Sequence, residues 1–239
     1  MTIPPPEEKD RAVQAMFDSI AHRYDLNNTL LSLGLHHHWK RVAADRTGLN
    51  PGETALDLCA GTGDLALHLA RRAGTQGHVV AADLNSRMLA FAQEKIRKAG
   101  LSERITSVRA NAECLPFGER TFHAVTIGFG IRNVTDMKRG FAEIYRVLKP
   151  NGRVVCLEFS RPTHAIMRRL YDLYSFYWLP RIGALISGDR TGTYHYLPAS
   201  IRAFPDQAAL AELMTGVGFQ EVTYRNLAGG IVAIHVGVK

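Results

Sequence analysis

The 239-residue sequence contains no run approaching the ~20 consecutive apolar residues that a membrane-spanning helix requires. It also lacks a basic segment followed by an apolar stretch at its start, MTIPPPEEKD, so no secretory signal is expected and the cytoplasm is the default location. Cysteine is scarce. Cys59, Cys114 and Cys156 form an odd, sparse set, each in an apolar neighbourhood, which fits reduced, buried thiols better than a disulfide framework. No cysteine pair has metal-ligand spacing. There is no internal repeat, no low-complexity linker and no long Lys/Arg run. The net charge of +7 is therefore dispersed. It favours an acidic partner in general terms, yet no basic-aromatic module of a recognised nucleic-acid-binding type is present.

What is present is a change of rhythm at Thr54. Before it, residues 7–23 carry Val13, Met16, Phe17 and Ile20 at helical spacing, and residues 36–47 continue in the same style. Tyr24-Asp25-Leu26-Asn27-Asn28 reads as a turn-rich link between them. From Thr54, short apolar strands alternate with helices: strands at Thr54–Cys59, His78–Asp83, Ile105–Ala110, Phe122–Gly128 and Arg153–Phe159, helices at Leu65–Ala73, Ser86–Ala99 and Lys138–Leu148. Ser86 is the expected N-cap of its helix. Lys149-Pro150-Asn151-Gly152 is the expected turn before the fifth strand. Such alternation implies an α/β fold with a mostly parallel sheet covered on both faces. After a long aromatic, basic segment, a helix at Gln207–Val217 and two strands at 219–226 and 230–238 close the chain as antiparallel neighbours. The whole is one domain, 1–239: a helical cap (1–53), a core (54–160), an insertion (161–205) and a closing helix and strands (206–239).

Leu56-Asp57-Leu58-Cys59-Ala60-Gly61-Thr62-Gly63-Asp64 is a strand, a glycine turn and a helix start. Glycines there let the backbone turn sharply and approach a ligand closely. Asp83 ends the next strand, where a carboxylate accepts from both hydroxyls of a ribose. Gly61-x-Gly63-x-x-Ala66 also fits the dinucleotide fingerprint, so NAD competes at this point. Two features favour S-adenosylmethionine. Asp57, on the first strand, suits a cofactor carrying an ammonium and a sulfonium and disfavours a pyrophosphate. Asn111-Ala112-Glu113-Cys114-Leu115-Pro116-Phe117, after the third strand, resembles the adenine-binding turn of Rossmann-like methyltransferases.

On further motifs the chain resembles the menaquinone/ubiquinone biosynthesis C-methyltransferases, from about Phe17 to Lys239. The motifs are Tyr24-Asp25-Leu26-Asn27-Asn28-Thr29-Leu30-Leu31-Ser32 with His36 and Trp39, Gly128-Phe129-Gly130-Ile131-Arg132-Asn133-Val134, Arg146-Val147-Leu148-Lys149-Pro150-Asn151-Gly152 leading to Leu157-Glu158-Phe159-Ser160, and Asn226-Leu227-Ala228-Gly229-Gly230-Ile231-Val232-Ala233-Ile234-His235. The chain departs from the family at three places. Asn27 stands where Met is usual, Asn151 where Gly is usual, and Gly128 where some relatives place a cofactor-contacting Ser, a role Gly128 is unable to fill. Asn tolerates positive φ, so the turn at Asn151 is expected to survive. The resemblance implies a Rossmann-like seven-stranded methyltransferase sheet, mostly parallel with the last strand antiparallel, under an N-terminal helical lid. It implies S-adenosylmethionine as methyl donor without a metal, cofactor contacts at Asp57, Gly61, Thr62, Gly63, Asp83, Asn111 and Ala112, and methyl transfer to a ring carbon of a polyprenyl quinol. Demethylmenaquinol is the first acceptor to consider, a benzoquinol of the ubiquinone pathway the second. A homodimer is implied by resemblance alone. Methyl transfer to another lipid, a small phenol or RNA, and NAD-dependent oxidoreduction, are the rival functions.

Such a transfer needs the acceptor's hydroxyl deprotonated and the developing phenolate stabilised. Arg132, after the fourth strand, is the expected source of that electrostatic help, with Asn133 orienting the same group; an ion pair at a helix start is the structural alternative for Arg132. Tyr24 and Asp25 are candidates for a lid over the cofactor. His36-His37-His38 looks like a metal tract, but a helix with one buried and two exposed imidazoles is the expected arrangement. The insertion holds Arg161, Arg168, Arg169, Tyr171, Tyr174, Phe176, Tyr177, Trp178, Arg181 and Arg190. Aromatics at helical spacing are most often core; on the opposite helix faces the insertion is expected to roof the acceptor pocket and to touch a membrane surface peripherally.

Overall fold

The computed structural model describes residues 4–173 and 193–239. Three helices precede the sheet: α1 (Pro6–Ile20), α2 (Tyr24–Leu31) and α3 (Leu35–Arg46). The expected turn at residues 24–28 is instead the start of α2. The polar side chains that suggested a turn face inward or bond to other elements: Asn27 is buried, and the Asp25 carboxylate accepts from Thr62 and Lys95.

The core alternates β1 (Thr54–Leu58), α4 (Asp64–Ala73), β2 (His78–Asp83), α5 (Ser86–Lys98), β3 (Ile105–Arg109), β4 (Phe122–Gly128), α6 (Met137–Val147) and β5 (Leu148–Phe159). Then come α7 (Ala165–Leu173), α8 (Thr193–Ala203), α9 (Gln207–Val217), β6 (Gln220–Leu227) and β7 (Val232–Val238). The seven strands lie in the order β3-β2-β1-β4-β5-β7-β6. β7 runs antiparallel to both neighbours and the other pairings are parallel. Tyr174, Phe176, Tyr177, Trp178, Arg181 and Arg190 lie outside the described residues.

Two boundaries differ from the sequence expectation. The side chain that caps α5 is Asn85, which accepts from the Met88 N–H at 2.8 Å, and Ser86 is the first helical residue. Residues 149–152 form an irregular stretch inside β5, which pairs Leu148 with Phe122 before the register shifts. Asn151 takes φ +64 there, so the side chain standing in for glycine does adopt the left-handed conformation.

β1 alternates its side chains between two apolar layers. Leu56 and Leu58 pack with Phe141, Ile144 and Val147 of α6 and with Leu210 and Met214 of α9. Ala55, on the other face, packs with Trp39 and Ala43 of α3, Leu65 and Leu69 of α4 and Ala92 of α5. Alanine recurs along that second layer, at positions 55, 66, 70, 73, 81 and 92, all buried. Small side chains let α4 and α5 lie close on the sheet, which brings the loop after β1 against the end of β2.

Candidate active site

A cleft with about 720 Å³ of empty volume opens at the carboxyl ends of β1, β2, β3 and β4, where an open α/β sheet places its ligand. Gly61, Asp83, Asn111 and Ala112 line it, together with Asn85, Met88, Gly128, Phe129 and Asn133. Asp83 organises this wall. One carboxylate oxygen accepts from the Gly61 N–H at 2.8 Å and the other from the Asn85 N–H at 2.8 Å. It thus ties the glycine loop to the cap of α5 and presents its remaining lone pairs to the cleft. Burial raises its pKa, opposed by those N–H groups. Asn111 Oδ1 accepts from the Glu113 N–H at 2.9 Å, which shapes the turn after β3.

Asp57, Thr62 and Gly63 support the cleft from behind. Asp57 is fully buried, accepts from Thr126 Oγ1 at 2.8 Å and leaves its second oxygen without a partner. Burial pushes this carboxyl up to about 7, against the hydrogen bond from Thr126. Gly63, at φ +83, is the N-cap of α4, and a Cβ on it would meet that of Ala92 at 3.2 Å. Thr62 donates to Asp25 Oδ1 at 2.6 Å. Lys95 joins this contact, reaching Asp25 at 2.6 Å, Thr62 at 3.1 Å and Asp64 at 2.6 Å, while Lys40 reaches the other Asp64 oxygen at 2.7 Å. Burial opposes ionisation of Asp64, yet Lys40 and Lys95 hold its carboxyl far below the usual range. This chain of charges latches α2 to the cofactor loop, a physical basis for Asp25 as part of a lid. None of these partners was apparent from spacing, because they come from α2, α3, α4 and α5.

The N-terminal helix also closes over the cleft. Asp10, Val13, Gln14 and Phe17 of α1 line it, Lys9 donates to the carbonyls of Arg132 and Val134, and Asp18 accepts from Asn85 Nδ2 at 2.9 Å. Two non-glycine residues of the wall, Cys59 and Phe129, sit at φ +54 and +57. Such strain is concentrated where backbone must approach a ligand. Cys59 is half-buried, Cys156 buried and Cys114 exposed, so the expectation of three buried thiols fails at Cys114, which lies in the turn after β3. All three are free.

A second, apolar pocket with about 1950 Å³ of empty volume lies beyond, between α1, α2, α3, α7 and α8. Phe17, Tyr24 and Phe129 line both cavities, so the two meet at those rings. Arg132 lines the apolar pocket, but its guanidinium is ion-paired with Glu158 at 2.7 Å and lies over the Phe159 ring. The alternative weighed for it, an ion pair, is therefore realised, with a partner on β5. Burial raises the pKa of Glu158, while the Arg132 charge lowers it. Asn133 lines the cofactor cleft and accepts from the Tyr196 hydroxyl at 3.1 Å.

His36 is buried and His37 and His38 exposed, as the helical reading required. Yet the His36 and His37 rings lie 3.9 Å apart, and both approach Asp64 closely enough to suggest a metal. Both Asp64 oxygens already hold lysine ammonium groups, whose positive charge opposes a cation there.

The cleft fits S-adenosylmethionine on its own chemistry: the Asp83 carboxylate at the end of β2 and the Gly61 turn both line it, whereas Asp57, expected to face the cofactor, is buried behind it. At Gly130 an added Cβ would fall 2.3 Å from that of Cys59. Comparison with known proteins agrees. The model of the ubiE/COQ5 methyltransferase family matches residues 6–239. The chain is 48% identical over 233 residues to the ubiquinone/menaquinone biosynthesis C-methyltransferase UbiE of Erwinia tasmaniensis, covering 98% of this chain and 92% of that one. The corresponding protein of Photorhabdus laumondii is 47% identical with the same coverage. A solved phosphoethanolamine N-methyltransferase 2 of Haemonchus contortus, in complex with S-adenosyl-L-methionine, superposes with a TM-score of 0.63 at 18% identity, over 84% of this chain and 52% of that one, and so shares the fold. This chain belongs to the ubiE/COQ5 methyltransferase family and is an S-adenosylmethionine-dependent methyltransferase.

Proposed function

We propose that the chain methylates a ring carbon of a polyprenyl quinol, converting demethylmenaquinol to menaquinol. The observation that carries this reading is the apolar pocket joined to the cofactor cleft at Phe17, Tyr24 and Phe129. A fused aromatic ring fits against those side chains, and the pocket is large enough to take the first part of an isoprenoid tail. The relatives' names point to both naphthoquinol and benzoquinol acceptors. Phe17 and Phe129 offer only hydrocarbon at the junction, which favours the ring without methoxy groups.

The methyl donor, when bound, supplies a carbon already activated by its sulfonium. This chain's residues do the rest. Phe17, Tyr24 and Phe129 hold the acceptor ring at the junction and exclude water, which strengthens every charge interaction there. Arg132, neutralised by Glu158, adds a fixed dipole to the pocket wall rather than a free cation. A guanidinium has donors and no acceptor, so it takes no proton itself.

The rim of the pocket fits a lipid surface. Leu30, Leu33, Leu35 and Met167 line the pocket and are also exposed, Leu33 at 88%, with Leu26 and Ile166 exposed nearby in sequence. Arg169 on α7 is exposed as well. No helix among the described residues is long and apolar enough to cross a membrane. The reading is therefore peripheral docking by an apolar rim, through which an acceptor leaves the bilayer. The deciding experiment offers purified protein labelled methyl donor and either demethylmenaquinol or the demethylated benzoquinol, both reduced. Label in the naphthoquinol ring at the higher kcat/KM is expected. Label in the benzoquinol alone would transfer the assignment to that pathway, and label in neither would end it.

A further inference from the structure

Eight buried side-chain nitrogen and oxygen atoms among the described residues have no partner. Half belong to residues that line the apolar pocket: Asn27 Nδ2 and Oδ1, His36 Nε2 and Arg132 Nε. Buried polar atoms are costly to leave unanswered, so their gathering around one pocket points to a ligand that draws these side chains out and answers them.

Their chemistry says which. Asn27 Nδ2 and Arg132 Nε are donors, and Asn27 Oδ1 is an acceptor. His36 is assigned by its neighbour. Ser32 Oγ donates its only hydrogen to the Asn28 carbonyl at 2.6 Å. At the 2.8 Å contact with His36 Nδ1 the hydroxyl must therefore accept. Nδ1 carries the ring proton, and Nε2 is left as a bare lone pair. Burial, with the charges of Lys40 and His37 and against those of Asp64 and Asp25, pushes the imidazole down to about 4, so the ring is neutral at physiological pH. The unanswered set is thus two donors and two acceptors. Two ring hydroxyls present two O–H groups and two accepting oxygens, which is the complement. An oxidised quinone presents only accepting oxygens and would leave Asn27 Oδ1 and His36 Nε2 unanswered.

Resting on the quinol reading above, we propose that Asn27 and His36 recognise the two hydroxyls of the reduced acceptor ring. In this assignment His36 Nε2 takes the proton of the hydroxyl next to the methylated carbon. As that O–H bond breaks, its electron pair enters the ring and the proton goes to Nε2. The ring carbon bonds to the methyl as the methyl–sulfur bond breaks, its pair remaining on sulfur. The methylated carbon then loses its own hydrogen to water as a proton, which restores the aromatic ring. The imidazolium returns its proton to the ring oxygen. One proton reaches solvent and His36 ends neutral, so a single imidazole serves every turnover. Asn27 stands where the family resemblance puts Met. Its carboxamide is therefore a feature of this chain, and it is testable apart from the proton transfer.

The test uses the full chain with His36→Gln and Asn27→Met. S-adenosylhomocysteine affinity by calorimetry reports that the cofactor cleft is intact. Quenching of tryptophan fluorescence, to which Trp39 in the pocket contributes, reports binding of 1,4-dihydroxynaphthalene and of its dimethyl ether. The wild type is expected to prefer the dihydroxy compound by at least about tenfold. Asn27→Met is expected to cut that preference at least threefold and to raise Tm. His36→Gln is expected to lower kcat on demethylmenaquinol by about 10²–10⁴-fold, with KM changed less than about threefold. An unaltered hydroxyl preference in Asn27→Met, or a kcat within threefold of wild type in His36→Gln, overturns the proposal. Should His36→Gln lose cofactor binding, Ser32→Ala carries the test. Freeing the tautomer there is expected to cost about tenfold in kcat at constant KM, and no loss overturns the role of His36. A wild type that methylates no quinol refutes the acceptor reading itself, a result distinct from variants that perform like the wild type.

Discussion

Replacing Asp83 with Asn should separate the cofactor site from the fold. The side chain keeps its size but loses the ability to accept at both ends. In the native protein the two carboxylate oxygens each accept a backbone N–H at 2.8 Å, from Gly61 and from Asn85. Whichever way an amide is turned, its NH₂ faces one of those N–H groups. One hydrogen bond is lost and one buried donor is stranded, costing about 1–3 kcal/mol. The cofactor's ribose hydroxyls then meet a neutral acceptor in place of a carboxylate, which costs about another 1 kcal/mol. The first cost falls on the fold, with or without cofactor, and should lower Tm; the second is a loss of about fivefold in affinity. Calorimetry with S-adenosylhomocysteine reads this directly. pH gives a second reading. Burial raises the pKa of Asp83, so the wild type should lose affinity as acidification protonates it, whereas Asp83→Asn should not. An affinity within threefold of wild type would refute the assignment of Asp83 to the ribose.

Four further outcomes follow from the geometry. Gly128→Ser should destabilise the protein by about 1–2 kcal/mol, because a Cβ there falls 2.5 Å from Leu65 Cδ1; Leu65→Ala should relieve much of the penalty in the double variant, as thermal melts would show. Lys95→Met leaves Asp25 with Thr62 alone and Asp64 with Lys40 alone, so proteolysis within residues 21–34 should accelerate and cofactor affinity fall about tenfold; an unchanged cleavage rate would mean the latch holds nothing. Because His36 titrates at about 4 when folded and near 6.5 when unfolded, its contribution is intact above about pH 6.5 and is lost as pH falls towards 4, by at most about 3 kcal/mol; denaturant midpoints of His36→Gln should lack this part of the acid dependence. Binding to anionic liposomes should be weak and salt-sensitive, and Leu33→Asp should abolish it while leaving cofactor affinity intact, as vesicle co-sedimentation would show.

What could be read in the sequence was what is encoded locally. Gly61, Asp83 and Asn111-Ala112 each end a strand of one parallel sheet, and strand ends converge at one edge whatever the rest of the chain does. Asp57 sits on β1, with its side chain on the buried face of the strand, and Thr62 and Gly63 lie in the loop after it, so all three end up behind the cleft. The partner of Arg132, the latch through Lys95 and the junction of the two cavities were illegible for one reason. Each joins elements distant in sequence: Arg132 pairs with Glu158, Asp25 pairs with Lys95, and Phe17 and Phe129 line the same two cavities. Residues 24–28 misread as a turn because Asp and Asn favour turns only when their side chains bond locally. Here Asp25 is drawn to Thr62 and Lys95 instead, and the backbone is free to stay helical.

The Arg132–Glu158 pair explains why the acceptor pocket needs a separate proton acceptor. An unpaired guanidinium on an apolar wall would favour the phenolate by charge, but desolvating it in the empty pocket would be prohibitive. Glu158, 1% exposed, removes that cost and with it most of the net charge. The pair then positions the wall, with the Arg132 N–H directions fixed by Glu158 and by the Phe129 carbonyl. Stabilisation of a developing negative charge falls to fixed donors and to the sulfonium, and removal of the proton to a neutral base. Lys40 is committed to Asp64, the Tyr196 hydroxyl to Asn133 and the Ser32 hydroxyl to Asn28. Among the described residues around this pocket, His36 Nε2 is the unanswered lone pair on a nitrogen that can bind a proton, since the other orphaned acceptor there, Asn27 Oδ1, is an amide oxygen.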